Sequence, residues 1–124
     1  MNCSLHVYSE VNPTEDPQKV EIAISNLFPI GELETGTSKV SLTGDISSLE
    51  KLKEILEKRR IRSTARSLMQ VGENKIEFLL SKQAALVNVV NVVEDESPLG
   101  EIKVEITTTD VESLLDWLVP LVKA

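Results

Sequence analysis

Five basic residues lie within nine positions of the stretch KRRIRSTAR, with no acidic residue among them: Lys58, Arg59, Arg60, Arg62 and Arg66. Guanidinium groups bind phosphates through paired hydrogen bonds and stack on nucleobases, which ammonium groups cannot do. On a continuous helix, Arg59, Arg62 and Arg66 would form one stripe, because residues three and four positions apart are neighbours. The stretch therefore predicts a polyanion-binding surface, and looped or single-stranded RNA best suits arginine stacking.

The basic stretch lies in the middle of an acidic chain of 124 residues, whose net charge is −7. Residues 51–82 carry nine basic and four acidic side chains, so they contribute +5 and leave −12 for the rest of the chain. Lys51, Lys75 and Lys82 would extend the basic field around the arginines. Such an uneven distribution of charge favours a polyanionic partner such as RNA.

The sequence also allows a different interpretation of the same arginines. Glu54 and Glu57 lie nearby and could neutralise the cluster as a solvated, ion-paired surface. The arginines could equally meet acidic surfaces of a partner subunit, which the −12 remainder would supply. The chain would then be a non-catalytic oligomerisation or protein-interaction module.

Two further groups of residues could take part in binding. His6 and Tyr8 share the polar face of the first predicted strand and could stack bases on an open sheet, although an edge or interface role is favoured for a lone tyrosine. Glu94, Asp95 and Glu96 are consecutive, whereas calcium loops need alternating ligands and a turn-making glycine. These acids therefore predict a solvated hairpin loop and no metal site.

The residue pattern does not indicate a catalytic site. Ser63, Thr64 and Ser67 adjoin basic residues, but a nucleophile needs an orienting base, and the sole histidine is His6 on a distant strand. The five glycines are scattered singly, so no phosphate-cradling loop is present. We therefore expect neither enzymatic activity nor a cofactor.

The rest of the composition points to a soluble protein of the cytoplasm. The lone cysteine, Cys3, cannot form an internal disulfide, which suits a reducing compartment, and one cysteine with one histidine cannot build a usual structural zinc site. No apolar run approaches the ~20 residues of a membrane span, and the N-terminus has no signal-peptide pattern.

The elements that must position the candidate residues follow from hydrophobic periodicity. Alternation predicts strands near residues 5–11, 40–42, 76–80, 86–93 and 102–106. Helical spacing and capping signals predict one helix between Asp16-Pro17 and Pro29, one opened by the Ser47–Glu50 capping box, and one opened by Thr109–Glu112. The apolar stripe of the middle helix jumps in phase near the arginines, which predicts a kink or a second helix capped by Ser63.

This order, β-α-β-α-β-β-β-α, predicts a single α+β domain over residues 1–124. We expect a two-layer sandwich with about three helices and a mostly antiparallel five-stranded sheet. The run LVNVVNVV is apolar on both faces, as a central strand would be, and would form a hairpin with the last strand. Val90 and its neighbours would then leave the second sheet face apolar, which favours burial in a homodimer.

Five collinear segments complete the pattern: VNPTEDPQKVEIAISNLFP, RIRSTAR, FLLSKQAAL, SPLGEIKVEI and DWLVP. Together they resemble an archaeal protein family described as RNA-binding, over nearly the whole chain. The resemblance implies a ribosomal-protein-like fold, similar to that of the protein that binds five-S rRNA, and a dimer. In that family an acidic residue usually takes the place of Ser63, so the arginine stretch is more basic here.

Overall fold

One antiparallel sheet with helices packed against one of its faces makes up the fold. We describe residues 2–95 and 100–120 from a computed structural model. Seven strands form the sheet: β1 (Cys3–Glu10), β2 (Glu32–Thr35), β3 (Lys39–Gly44), β4 (Gln70–Val71), β5 (Lys75–Leu80), β6 (Val92–Val93) and β7 (Ile102–Thr108). The order is β2-β3-β1-β7-β5-β4, and β6 also pairs with β5. All the pairings are antiparallel.

Five α-helices and one 3-10 turn occur in the described part of the chain. The helices are α1 (Pro17–Leu27), α2 (Glu50–Lys58), α3 (Arg62–Leu68), α4 (Lys82–Leu86) and α5 (Val111–Leu118), and the 3-10 turn is Ile46–Leu49. The α+β class and the antiparallel sheet are therefore confirmed. The numbers of five strands and about three helices were wrong, since the sequence analysis missed β2, β4 and the separate short helices.

Alternation along the strands separates a core face from an outer face. Leu5 and Val7 of β1 are buried, as are Val104 and Ile106 of β7. These side chains pack with the apolar faces of the helices into one core, to which Ile24 contributes from α1. Burial of this apolar surface is the main stabilising contribution to the fold.

Helix α1 begins and ends as its sequence predicts. The carboxylate of Asp16 accepts a hydrogen bond from the Gln18 amide, and Pro17 occupies the first turn. Phe28 is the C-cap, immediately before Pro29. Proline disfavours helical backbone at the residue before it, which explains where the helix ends.

The capping boxes predicted for the middle and last helices were wrong in position. Asp45, and not Ser47, caps the 3-10 turn, in a reciprocal box with Ser48. Gly44 permits this arrangement, because a β-carbon there would overlap the Ser48 hydroxyl. In α5 the N-cap is Asp110, one residue later than predicted, and its carboxylate accepts from the Ser113 amide.

The predicted break between two helices is confirmed, although Ser63 does not cap the second. Helix α2 ends in a Schellman motif: the Ile61 amide donates to the Leu56 carbonyl, and the Arg60 amide donates to the Glu57 carbonyl. Arg60 takes the left-handed position, with φ of 56°. The N-cap of α3 is Ile61, which makes no side-chain capping bond.

The prediction of a central strand at LVNVVNVV was wrong. Leu86 ends α4, and Asn88 (φ 61°) closes a second Schellman motif, in which the Val89 amide donates to the Ala84 carbonyl. Val90 is buried in the core, and only the short β6 is extended. Strand β6 pairs with β5, so the predicted hairpin with β7 is also wrong. The central position belongs to β7, between β1 and β5.

The outer face of the sheet is polar, which corrects the expected apolar patch. Strand registers place Gln70, Glu77, Glu105, His6, Thr43 and Glu32 in one row across this face. The next row contains Val93, Leu79, Lys103, Tyr8, Ser41 and Glu34. The apolar side of LVNVVNVV contributes little, because Val90 is in the core. The sheet face therefore gives no hydrophobic reason for a dimer.

Candidate nucleic-acid interface

The predicted arginine stripe does not exist as one helical face. Helix α2 stops at Lys58, and α3 starts at Arg62 after the left-handed Arg60. Arg59, Arg62 and Arg66 therefore belong to different elements or helix ends. We call the five basic residues of residues 58–66 the junction cluster, and they divide into two groups by their contacts.

Two arginines of the junction cluster are anchors within the fold. Arg59 donates through Nη1 to the Val90 carbonyl oxygen, and its Nη1 lies 3.4 Å from Asn91 Oδ1. Arg66 donates through Nη1 to Asp116 Oδ1 and to the Val119 carbonyl oxygen, each at 3.1 Å. These bonds attach the α2–α3 junction to the segment before β6 and to the end of α5.

The other three members project from the junction with little or no fixed pairing. Lys58 Nζ lies 2.7 Å from Glu54 Oε1, and both side chains are largely exposed, so water competes strongly with this ion pair. The exposed Arg60 side chain makes no hydrogen bond or ion pair with any described residue. Arg62 is half-buried, and its Nε is buried without a hydrogen-bond partner among the residues that the structure describes.

The three predicted lysines outside the cluster lie apart from one another. Lys51 donates to the Asn26 carbonyl oxygen and lies 3.4 Å from Asn88 Oδ1, so it helps to hold the α4 turn. Lys75 lies on the outer sheet face, 2.8 Å from Glu77 Oε1. Lys51 therefore contacts the segment that Arg59 also contacts, whereas Lys75 belongs to the opposite layer of the fold.

Lys82 is the centre of a buried polar network and is only 7% exposed. Its Nζ donates to the Glu10 carbonyl oxygen at 2.9 Å and to Glu15 Oε1 at 3.0 Å. Glu15 also accepts from the amide and side chain of Asn12. Burial raises the pKa of the Glu15 carboxyl, but the Asn12 and Lys82 hydrogen bonds outweigh it, so this pKa lies below its ordinary value.

The outer sheet face holds a second polar cluster, part of which the sequence analysis missed. His6 and Tyr8 stack with ring centroids 4.8 Å apart. The Tyr8 hydroxyl donates to Glu105 Oε1 at 3.2 Å, and burial together with the Glu105 charge raises the pKa of Tyr8. Lys39 and Lys103 lie over the Tyr8 ring. Only the strand order reveals these neighbours, since β3 and β7 are distant in sequence from β1.

No cluster of metal-ligating side chains occurs within residues 2–95 and 100–120. Glu94 and Asp95 are exposed after β6, and Glu96, the third acid of the predicted loop, lies outside the described residues. Over the same ranges, no helix has the length and apolar character required to cross a membrane.

Comparisons with known proteins identify the protein family to which the chain is similar. A family model with the description "RNA binding" matches residues 4–108, which is most of the chain. A UPF0201 protein of Methanothermobacter thermautotrophicus is 49% identical over 117 residues, covering 92% of this chain and 89% of that protein. A UPF0201 protein of Sulfurisphaera tokodaii is 41% identical over 121 residues, covering 90% and 83%.

Solved structures agree with the sequence comparisons. The crystal structure of a UPF0201 protein from Methanococcus jannaschii superposes with a TM-score of 0.83 at 34% identity, covering 98% of this chain and 96% of that one. An Archaeoglobus fulgidus protein of the DUF54 family, at 23% identity and a TM-score of 0.68, shares the fold, with coverage of 96% and 97%. The chain belongs to the family of archaeal UPF0201 proteins and matches the family model described as RNA binding, which confirms the family resemblance of the five segments.

Proposed function

We propose that this protein binds RNA through Lys58, Arg60 and Arg62 at the α2–α3 junction, and that it does so without catalysis. The observation that carries the proposal is the match to a family described as RNA binding over residues 4–108. The junction supports it because the exposed Arg60 and the half-buried Arg62 have no hydrogen-bond partner in the part of the chain that the structure describes. Looped or single-stranded RNA is the expected form, since guanidinium groups can reach both phosphates and unpaired bases there.

The contacts of the junction cluster suggest a division of roles. Arg59 and Arg66 hold the backbone of the junction through carbonyl oxygens of other elements. Arg60 and Arg62 give up no hydrogen bond to any described residue when they turn toward a phosphate. The orphan Nε of Arg62 would gain a partner in doing so, and satisfying a buried donor is favourable. Lys51 and Lys82 are not part of this proposed contact set, because each donates to other groups of the fold, and Lys75 lies on the outer sheet face instead of at the junction.

Salt dependence of RNA binding tests the proposal. With about three cations on single-stranded phosphates, the slope of log affinity against log salt should be roughly −2. Arg60→Ala and Arg62→Ala should each reduce the magnitude of that slope by about 0.7. Lys19→Ala is the matched control, because it removes one exposed charge from α1, away from the junction.

Fluorescence anisotropy with single-stranded, hairpin and duplex RNAs gives the measurement. Absence of binding at about 50 mM salt, where phosphate contacts are strong, would refute the proposal for this chain. If Lys19→Ala and Arg62→Ala reduce binding equally, the contact is diffuse and the junction is not the site.

The second candidate is a non-catalytic oligomerisation or protein-interaction module. The observation in its favour is that acids already pair with the cluster, through Glu54 and Asp116. Those acids belong to the same chain, however, and Arg60 and Arg62 have no partner within residues 2–95 and 100–120. Homodimer formation, a cytoplasmic location and a likeness to the ribosomal protein that binds five-S rRNA remain part of the proposal.

A further inference from the structure

The only histidine and the only tyrosine of the chain form an aromatic pair on the outer face of the sheet. His6 and Tyr8 are two residues apart on β1, so their rings stand side by side above the sheet. Their planes meet at 28°, and the centroids are 4.8 Å apart. Thr43 and Ser41 are their register partners on β3. Because these side chains are short, the surface of the sheet beside the two rings is low on the β3 side.

Three lysines, Lys39, Lys75 and Lys103, stand around the aromatic pair among the glutamates of the same face. Lys39 Nζ lies 4.5 Å from the centroid of the Tyr8 ring, and Lys103 Nζ lies 5.9 Å from it. Lys75 reaches the same face from β5, 3.8 Å from Glu105 Oε1. Glu105 also accepts the Tyr8 hydroxyl bond and lies 3.7 Å from His6 Nδ1, so this carboxylate fixes both rings from one side.

We propose that unpaired bases of single-stranded RNA stack on the His6–Tyr8 pair, with Lys39, Lys75 and Lys103 contacting the flanking phosphates. This inference rests on the proposed RNA-binding function and adds a second surface to it. A base would continue the column of rings along β1 and take the place of the Lys39 ammonium over Tyr8. Base–aromatic stacking and nearby lysines are the two components of single-strand binding surfaces.

The surroundings of the pair favour a base over a protein partner. The two rows around it consist mostly of charged, amide and hydroxyl side chains, whereas the centre of a stable protein interface is depleted of charge. A depression of about 370 Å³ beside Tyr8 is lined in part by Glu77 and Glu105. Carboxylate oxygens accept hydrogen bonds from base amino groups, so adenine should be preferred to uracil.

Proton NMR can test stacking directly, because one histidine and one tyrosine need no further assignment. Titration with a ten-nucleotide oligoadenylate should move the His6 and Tyr8 ring resonances upfield, the direction expected for stacking. Oligouridylate should do so more weakly, and a duplex of the same length should leave both rings unchanged. Ring resonances that stay fixed while anisotropy reports RNA binding would overturn this inference and leave the junction proposal standing.

Substitutions at Tyr8 provide an independent measurement. Tyr8→Leu should weaken oligoadenylate binding about tenfold, as expected for one lost base stack, whereas Tyr8→Phe keeps the ring and should retain most of the affinity. Lys19→Ala is the control for a remote charge. Equal affinities of Tyr8→Leu and the parent chain would contradict the inference, and the NMR titration of the parent decides the matter if Tyr8→Leu does not fold.

A second copy of the chain is the competing occupant of this face. In that case the Tyr8 and His6 resonances would shift with protein concentration, and RNA would not change them. That outcome would overturn the inference. If no RNA binds by any measurement, both the junction proposal and this second surface fail together.

Discussion

Basic side chains of this protein differ in role because of what the fold places beside them. Arg66 and Arg62 are four residues apart on one short helix, yet Arg66 bonds two groups of the α5 end and Arg62 retains an orphan Nε. Lys82 is buried and ion-paired, whereas Lys58 is exposed. Residue type alone therefore does not identify the groups that are available to a ligand.

The Lys82–Glu15 pair should contribute strongly to stability. Replacing Lys82 with Met removes the ammonium that donates to the Glu15 carboxylate and to the Glu10 carbonyl oxygen in a largely buried site. Removing one partner of a buried pair typically costs about 3 kcal/mol. Lys58→Met is the control and should change the free energy of unfolding far less, because its pair is exposed to water. Urea denaturation of both variants would measure the difference, and equal effects would contradict the structural role of Lys82.

The ionisation of Glu15 should also make the free energy of unfolding depend on pH. Its pKa in the folded state lies below the ordinary value of 4.5, so its contribution is present above that value and is lost as the pH falls through the lowered pKa. The advantage of the parent chain over Glu15→Gln should therefore shrink between pH 7 and about pH 3. Denaturation curves at both pH values test this, and a constant difference would show that the Glu15 charge is not involved.

Substitutions of Arg66 and Arg62 should have different effects on stability and on RNA binding. Arg66→Ala loses the bond to the Val119 carbonyl, and the exposed Asp116 adds little, so we expect a loss of about 1 kcal/mol. Arg62→Met removes an unsatisfied buried donor and should leave stability equal or slightly higher. Thermal melts measure the effect of each substitution on stability, and RNA anisotropy measures its effect on binding. A lower melting temperature for Arg62→Met would mean that Arg62 has a structural partner.

Two Schellman motifs determine the geometry of the α2–α3 junction and of the turn after α4. One ends α4 at Asn88, and the other ends α2 at Arg60. Asparagine tolerates the left-handed region better than other non-glycine residues, but an arginine there is strained. The strain occurs at the junction where Arg60 projects, which fits a position retained for binding at some cost in stability.

Arg60→Gly should therefore stabilise the fold and weaken RNA binding together. Glycine adopts a φ near 56° without strain, so we expect a gain of about 1 kcal/mol. Asn88→Gly is the matched control at the other motif and should gain less, because Asn88 is already a suitable residue. Chemical denaturation with parallel anisotropy measures both effects. A less stable Arg60→Gly would show that the Arg60 side chain makes a stabilising contact.

At the scale of the whole molecule, the dimer prediction now has a different basis. The sheet face is polar, and Val90→Asp would disrupt the core instead of an interface. The exposed apolar side chains of α1 and α4 and the following turn are Ile22, Leu86 and Val87. A homodimer that packs through the helix layer would bury these three side chains in its interface.

Light scattering of two matched variants tests that arrangement. Val87→Asp should shift the mass from two chains to one, whereas Val71→Asp, at an exposed edge-strand position on β4, should not. A parent mass of one chain at micromolar concentration would refute the dimer. Dissociation by Val71→Asp alone would place the contact at the sheet edge.

The sequence by itself determined the features that depend on neighbouring residues. Alternation specified β1, β3, β5 and β7, because a strand with one buried face must repeat every two residues. Asp16 and Pro17 specified the start of α1, and the phase jump of the apolar stripe specified two helices around the arginines. The family resemblance was likewise carried by local segments in order.

Tertiary structure decided what depends on residues far apart in the chain. Strands β2 and β4 are short and mostly exposed, so their pairing rests on hydrogen bonds that β3 and β5 provide. LVNVVNVV forms a helix end, a turn and a two-residue strand because Val90 and Val92 pack against a core that distant elements build, while Leu86 and Val87 stay exposed. The roles of Arg59 and Arg66 were likewise set by carbonyl oxygens at residues 90 and 119, which no spacing within the arginine stretch encodes.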